Sequence, residues 1–232
     1  MAIAVDATSS SGEVTAVSSD TWSHTCSGSN RFLVTGVNAR GVKSNTNTTV
    51  TGVTYNSVAL TKIRHDSVDG LDVGDTYRGR TELWYLVSPA TGANNVTVTW
   101  TGSIDIACSG AISLTGAIQS SSAIDSNNGQ SANTDTTPST TLTVVNSGCY
   151  LVDSIYSRAT PPLTKDASQT LVFNTDVNGG GDSTGMSYKA SGGTGSQTMQ
   201  WTSGAEESTL SAVAIAPLIT SAVKTLAAMG VG

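Results

Sequence analysis

The sequence predicts an all-β fold, either a jelly roll or a β-sandwich of two halves related by an internal repeat. Short stretches alternate apolar and polar residues with period two and are rich in Val, Ile, Thr and aromatic residues. Gly, Asn, Ser and Pro separate these stretches at short intervals, and helical periodicity is confined to the last residues of the chain. These observations favour many short strands over helices.

The first half of the chain supplies the clearest strand patterns. Strands are predicted at residues 31–37, 49–55, 58–64, 82–87, 96–100 and 106–115. Asn56 and Ser57 connect two of them, and a two-residue connection of this kind predicts a hairpin whose turn takes positive φ angles.

The second half repeats the pattern after a polar interruption. Its predicted strands are residues 140–145, 149–156, 170–173, 186–189, 198–201 and 208–216. The segment 119–138 is rich in Ser, Asn, Thr and Asp and buries little apolar surface, so we expect a long surface loop or a linker between halves. The expected organisation is therefore a first half at 1–118, a linker at 119–138, a second half at 139–217 and a tail at 218–232.

Matched tryptophans indicate the internal repeat. Segments 100–114 and 201–215 both begin with Trp and end with a predicted strand, and their lengths are equal. Tyr85 precedes Gly92 at the same spacing as Tyr188 precedes Gly195. Each half therefore reuses one strand order, and we expect both tryptophans to pack in the core rather than to bind a ligand.

The composition limits the classes of partner. Charged residues make up 12% of the 232 residues, against roughly 25% in soluble proteins, and the net charge is −6. The chain instead has 33 Ser, 35 Thr and 24 Gly. Because Lys and Arg do not cluster, and no stretch approaches the ~20 apolar residues of a membrane span, we expect neither a nucleic-acid nor a membrane partner. Residues 1–6 lack the basic and apolar regions of a secretory signal, so we expect synthesis and folding in a cytoplasm.

Three cysteines, Cys26, Cys108 and Cys149, cannot all pair within one chain. They lie far apart and form no Cys-x-x-Cys motif. We expect free, buried thiols, with a Cys26–Cys108 or Cys108–Cys149 bridge as the alternative.

Motifs that carry enzyme chemistry are missing from the sequence. His24 and His65 lie in different segments, and there is no G-x-S-x-G, phosphate-binding loop or zinc-protease motif. We expect His65 to be a partly exposed residue at a strand end. A protein without enzymatic activity and without a cofactor is therefore predicted.

One acidic stretch could bind calcium. Asp66, Asp69, Asp72 and Asp75 recur every third residue in a Gly-containing segment that we expect to be a loop. Ca²⁺ prefers such oxygen ligands, but the EF-hand pattern and its closing Glu are missing. We expect a solvated acidic loop and no metal, with calcium as the alternative.

The C-terminal tail carries the candidate partner-binding residues Leu218, Ile219, Val223, Leu226 and Met229. Their spacing predicts a short helix or an extended tail, and the segment has one charge, on Lys224. Because an exposed apolar stripe is unfavourable in water, we expect it to pack either on the core or on another subunit.

Three stretches have a combination of motifs found in a known family. They are VTGVTYNSVALTK at 50–62, TELWYLVSP at 81–89 with the following Gly92 and 96–100, and GAISLTGA at 110–117. Together they resemble β-sandwich modules of bacteriophage virion proteins, which also occur in some bacterial surface proteins. The resemblance covers residues 30–120 and extends to the second half only through the repeat. Its motifs are structural, so it implies no catalytic residues.

The resemblance implies a virion structural protein. We expect a phage capsid decoration (cement) protein, located in the virion, whose tail binds and stabilises neighbouring capsid subunits. Its partners would be the major capsid protein or other virion proteins, and it would form a symmetric homo-oligomer such as a trimer. The alternative is a receptor- or glycan-binding module of a tail fibre or surface adhesin, using loop aromatics and the segment 66–75.

Overall fold

A computed structural model describes residues 2–42, 48–69, 77–158 and 163–219 and confirms the predicted all-β sandwich. Within these ranges, strands β1 to β17 are, in order, Ala4–Thr15, Ser19–Cys26, Phe32–Val42, Val50–Tyr55, Val58–Ala59, Thr61–Asp69, Tyr77–Val87, Gly92–Trp100, Ile106–Thr115, Ile124–Asp135, Ser139–Val144, Tyr150–Ser157, Thr164–Lys165, Thr170–Val177, Asp182–Ala190, Gly195–Thr202 and Glu206–Ile215. Short 3₁₀ turns lie at Ser121–Ala123 and Asn178–Gly180. No helix in the described ranges is long and apolar enough to cross a membrane.

Four antiparallel sheets are stacked in layers. The first half contributes a five-stranded sheet, β1-β9-β3-β7-β6, and a four-stranded sheet, β2-β8-β4-β5. The second half contributes a five-stranded sheet, β10-β17-β12-β15-β14, and a three-stranded sheet, β11-β16-β13. The two five-stranded sheets face each other in the centre, and each smaller sheet packs on the outer face of its own half.

The internal repeat is present in the strand order. Strands β10, β17, β12, β15 and β14 occupy the positions that β1, β9, β3, β7 and β6 occupy in the first half. Contacts between the halves follow an approximate twofold symmetry, because β6 lies against β10 and β17 while its counterpart β14 lies against β1 and β9. The interface therefore has the isologous arrangement of a symmetric dimer, although both halves belong to one chain.

The inner strands of the central sheets, such as β3, β9, β12 and β17, are buried on both faces. In β3, Phe32 and Val34 join the core between the halves, whereas Leu33 and Val37 join the core under the outer sheet. Since successive side chains point to opposite faces of a sheet, a strand covered on both sides reads as a nearly continuous apolar run. This explains why the strands around 31–37 and 106–115 are the easiest to predict.

Glycines allow the central sheets to approach closely. A Cβ atom at Gly36 would lie 2.7 Å from Oγ of Ser154, and one at Gly110 would lie 2.6 Å from Cδ1 of Phe173. A Cβ atom at Gly79 would overlap the Tyr156 ring. Each of these pairs joins one half to the other, so the close packing depends on the missing side chains.

The predicted linker at 119–138 is wrong over most of its length, because Ile124–Asp135 forms β10. This strand pairs with β17 along the edge of the second central sheet. It has no fully buried residue. As an edge strand, it is ordered by backbone hydrogen bonds to a single neighbour and does not depend on burial of its side chains. A sequence of hydroxyls and amides is sufficient for that role.

Strands β1 and β2 were not predicted from the sequence. The inward-facing residues of β2 are Asp20, Trp22, His24 and Cys26, and they alternate with exposed Ser and Thr. Because two of the four inward residues are polar, the period-two signal of this strand is weak.

Candidate functional site

The described part of the candidate partner-binding tail, Leu218 and Ile219, follows an anchored point of the folded body. Pro217 forms a β-bridge with Ala117, and the Leu218 backbone N–H donates to the carbonyl of Gly116 (2.7 Å). Leu218 is half-buried, whereas Ile219 is 62% exposed. The other predicted tail residues, Val223, Leu226 and Met229, lie outside the described residues.

The exit point lies beside the connection between the halves. Gly116 has a φ of 73°, and a Cβ atom there would collide with the carbonyl of Ala2. The Ala216 N–H donates to the carbonyl of Ala123 (2.8 Å), and the Ile118 N–H donates to the carbonyl of Ala216 (3.2 Å). These bonds tie the last strand to the connecting segment and so fix where the tail begins.

The predicted acidic loop is wrong in its described part. Asp66 and Asp69 lie on β6 and are not loop residues. Asp66 accepts hydrogen bonds from Nε and Nη2 of Arg64 (2.7 and 2.6 Å), and Asp69 accepts one from Nε of Arg78 (2.6 Å). The other two aspartates lie outside the described residues. Both described carboxylates therefore serve ion pairs.

Polar side chains connect the halves at the centre of their interface. Ser154 Oγ donates to Oδ1 of Asn38 (2.9 Å), and the hydroxyls of Thr81 and Ser211 are 2.9 Å apart. Ser211 also donates to Oδ2 of Asp66 (2.5 Å). These bonds are directional, so they fix the register of one half on the other.

An arginine ion pair closes one end of the same interface. Nη1 of Arg40 lies 2.5 Å from Oδ2 of Asp182, whose side chain is fully buried, and Nη2 lies 3.3 Å from Oδ2 of Asp105. The guanidinium also lies 4.3 Å from the ring centroid of Tyr77. The Tyr156 hydroxyl donates to Oδ1 of Asp182 (2.7 Å). Arg40 belongs to the first half and Asp182 to the second, so unfolding of either half would leave the other with a buried, unpaired charge. We therefore expect the halves to unfold together.

Each half buries a carboxylate that accepts a hydrogen bond from a tryptophan. In the first half, Oε2 of Glu82 accepts from Nε1 of Trp84 (3.0 Å). The Glu82 side chain is fully buried and forms ion pairs with Lys62 (2.9 Å) and Arg80 (2.5 Å). Its charge is therefore compensated inside the sandwich.

The second half has neutral donors around its carboxylate. Asp153 accepts from the backbone N–H of Ser187 (2.9 Å), from its hydroxyl (2.7 Å) and from Nε1 of Trp201 (2.8 Å). Burial raises the pKa of Asp153 to about 7, against the opposing effect of these hydrogen bonds. The group is enclosed, so it can affect stability but cannot reach a substrate.

The two histidines lie on different sheets. His24 is buried on β2, and burial lowers its pKa to about 4. Ser9 Oγ accepts from Nε1 of Trp22 (3.1 Å), so its own proton can go to Nδ1 of His24 (2.8 Å). This chain of bonds ties β1 to β2. His65 is exposed in the middle of β6, so the expected position at a strand end is wrong.

The prediction of free, buried cysteines is confirmed for Cys26, Cys108 and Cys149. Burial raises the pKa of Cys108 to about 11 and that of Cys149 to about 12, and it also raises the pKa of Cys26. The thiols therefore stay protonated at neutral pH. The predicted core positions of Trp100 and Trp201 are also confirmed, since both are buried.

The outer sheets expose hydroxyls. The exposed residues of β2 are Ser19, Thr21, Ser23 and Thr25. The hydroxyl of Thr21 lies 3.0 Å from that of Thr97 on β8, and the equivalent strands of the second half carry the same kind of pair, Thr141 and Thr198 (3.2 Å). A partner can cover such a surface without removing charged groups from water, which would be costly.

A surface depression of about 380 Å³ lies where β4, its hairpin turn and β8 meet. The turn at Asn56 and Ser57 has the predicted positive φ angles, 49° and 64°. The depression was not predicted, because the segments that line it, 54–57 and 93–97, are far apart in the sequence. Its lining contains neither charged side chains nor aromatic rings.

Within the described ranges, no three His, Cys, Asp or Glu side chains come together where they could hold a metal ion. No protein-family model, curated protein or solved structure matches the chain. Its function is therefore inferred from its own geometry and sequence.

Proposed function

We propose that the protein is a virion structural protein, a phage capsid decoration protein that binds neighbouring capsid subunits through its C-terminal segment. The proposal rests on the exit of the tail. Ile219 is 62% exposed directly after residues that are anchored by a β-bridge and backbone hydrogen bonds. The start of the tail is thus held at a fixed position on the body.

The sequence of the tail suits burial on a partner. Val223, Leu226 and Met229 are apolar, and Lys224 is the one charged residue between 218 and 232. Full burial of each large apolar side chain is worth about 1.5–3 kcal/mol. Three such side chains would offset much of the entropy that is lost when a segment becomes ordered on binding.

The hydroxyl-rich outer sheets supply a second surface for neighbours. Their Ser and Thr side chains can form hydrogen bonds across an interface at little desolvation cost. A symmetric homo-oligomer, with a trimer as the expected form, would place several tails around one capsid position. Several weak contacts would then add up to stable binding.

A single charge in the tail tests the proposal. Phage particles that lack this protein are mixed with the purified full chain, and binding is measured by co-sedimentation. We expect Leu226→Asp to abolish or strongly weaken binding, because a carboxylate replaces an apolar contact. The adjacent Thr225→Asp is the matched control, and it should bind like the unmodified chain.

Two outcomes would contradict the proposal. If no form of the chain binds to particles, the protein is not a decoration protein. If Leu226→Asp and a chain ending at Ile219 bind as well as the full chain, the tail is not the contact. Near-ultraviolet circular dichroism of the buried tryptophans checks that each variant is folded.

A further inference from the structure

A depression on the outer sheet of the first half is lined by uncharged polar side chains. The lining includes Thr54, Asn56, Ser57, Asn94, Asn95 and Thr97, and the volume is about 380 Å³. We propose that this depression binds a neutral saccharide. This activity is separate from particle binding through the tail.

Backbone hydrogen bonds hold the rim of the depression in place. The positive φ angles of Asn56 and Ser57 match a tight hairpin turn. The backbone N–H of Asn56 donates to the carbonyl of Asn95 (3.0 Å), which fixes the turn against β8. A site that is formed before the ligand arrives loses little entropy on binding.

A buried tyrosine fixes the strand beneath the depression. Nδ2 of Asn94 donates to the hydroxyl oxygen of Tyr55 (3.2 Å), and this hydroxyl donates to the carbonyl of Gly92 (3.0 Å). Tyr55 is fully buried. Asn94 alternates in step with the buried Val96, so its side chain is held on the core side of β8 and fixes the backbone that lines the depression.

Several side chains of the lining have unused hydrogen-bonding capacity. In the part of the chain that the structure describes, the side chains of Thr54, Asn56 and Asn95 have no hydrogen-bond partner. An Asn amide offers two donor hydrogens and one acceptor oxygen, and a Thr hydroxyl can both donate and accept. Neighbouring hydroxyls of a sugar ring present the complementary pattern.

The character of the lining selects the ligand class. The lining has no charged side chain, so it offers no ion pair to a phosphate or a carboxylate. Its volume falls in the lower part of the range for small-molecule sites, about 300–1,000 Å³, which suits one or two sugar rings. Because no aromatic ring is available for stacking, we expect a dissociation constant of about 1 mM.

Nuclear magnetic resonance titration of the isolated full chain tests the proposal. Glucose, galactose and N-acetylglucosamine are added in turn, and the amide signals of residues 54–57 and 93–97 are followed. We expect at least one sugar to shift these signals and the side-chain NH₂ signals of Asn56 and Asn95. Inorganic phosphate serves as the charged probe and should leave them unchanged.

A double variant links the shifts to the lining. Asn56→Gly removes an amide while it keeps the positive φ angle, since glycine tolerates this conformation. Combined with Asn95→Ala, it should weaken sugar binding about tenfold or more, because two hydrogen-bonding groups are lost. Thr99→Ala, on the same exposed face of β8 but outside the depression, is the matched control and should bind normally.

Three results would overturn the assignment. The first is that none of the sugars shifts the signals of residues 54–57. The second is that the double variant binds sugar as well as the Thr99→Ala control does. The third is that the double variant fails to bind phage particles although the unmodified protein binds no sugar, which would assign the depression to a protein contact.

Discussion

Addition of one methyl group between the halves tests whether they form a single unit. Gly79 of β7 faces the ring of Tyr156 on β12, and a Cβ atom at Gly79 would overlap Cδ1 and Cε1 of that ring and lie 3.1 Å from Cζ. Tyr156 is 2% exposed and its hydroxyl donates to Asp182, so the ring cannot move aside without loss of that bond. Gly79→Ala must therefore separate the central sheets or break the hydrogen bond.

The expected cost is about 3 kcal/mol in the free energy of unfolding. Overpacking of a core costs about 1–3 kcal/mol, and loss of a hydrogen bond to a charged group costs about 1.5–3 kcal/mol. For a chain of this length, about 3 kcal/mol corresponds to a fall in Tm of about 6–12 °C. Gly52→Ala is the control, because a Cβ atom at Gly52 has nothing within 4 Å. It should be neutral or stabilise by about 0.5 kcal/mol.

The free energy of unfolding is measured in urea, and the transition is monitored by tryptophan fluorescence and by far-ultraviolet circular dichroism. The two signals should change together, because the tryptophans of both halves report the same transition. A difference of less than about 0.5 kcal/mol between Gly79→Ala and Gly52→Ala, which is typical of surface substitutions, would contradict the close packing of the halves. Unfolding of the unmodified protein in two separate steps would contradict their behaviour as a single unit.

Three further predictions concern buried groups. The pKa of Asp153 is raised from 3.8 to about 7, so its contribution to stability is complete below about pH 4 and is lost as the pH rises through about 7. The free energy of unfolding, measured in urea, should fall less between about pH 5 and about pH 8 for Asp153→Asn than for the unmodified protein. An equal fall in both proteins would contradict the raised pKa. Glu82→Gln leaves Lys62 and Arg80 without their anion and should cost about 3 kcal/mol in urea unfolding, whereas the exposed Glu206→Gln should cost less than about 0.5 kcal/mol. The three cysteines should resist a thiol reagent in the folded protein and all react in denaturant; reaction in the folded state would contradict their burial.

The central strands could be predicted from the sequence, whereas the polar edges could not. Strands β9 and β17 are covered on both faces, so their apolar residues form continuous runs that are easy to recognise. In β10 the order comes from backbone pairing with β17, and backbone pairing leaves no trace in the side-chain pattern. The spacing of the aspartates was misread for a related reason, because Asp69 lies opposite Arg78 on the neighbouring strand.

The saccharide depression depends on the register between β4 and β8, so it could not be predicted from the sequence. Asn56 and Asn95 are far apart in the chain, and they meet because β4 pairs with β8 so that Tyr55 lies opposite Val96. A shift of one residue would turn every side chain of β8 to the other face and remove the site. The hairpin turn and the strand at 96–100 could be predicted locally, but their pairing could not.

The fusion of two similar halves in one chain affects how each surface can change during evolution. In a true homodimer every substitution is made twice, so a new site on one subunit also appears on the other. Here the depression is present in the first half, while in the second half Lys189 lies 2.5 Å from the carbonyl of Thr198 and 3.3 Å from the hydroxyl of Ser168, next to the turn that follows β13. The surface of one half can therefore change without the same change in the other, and the contact between them does not depend on protein concentration.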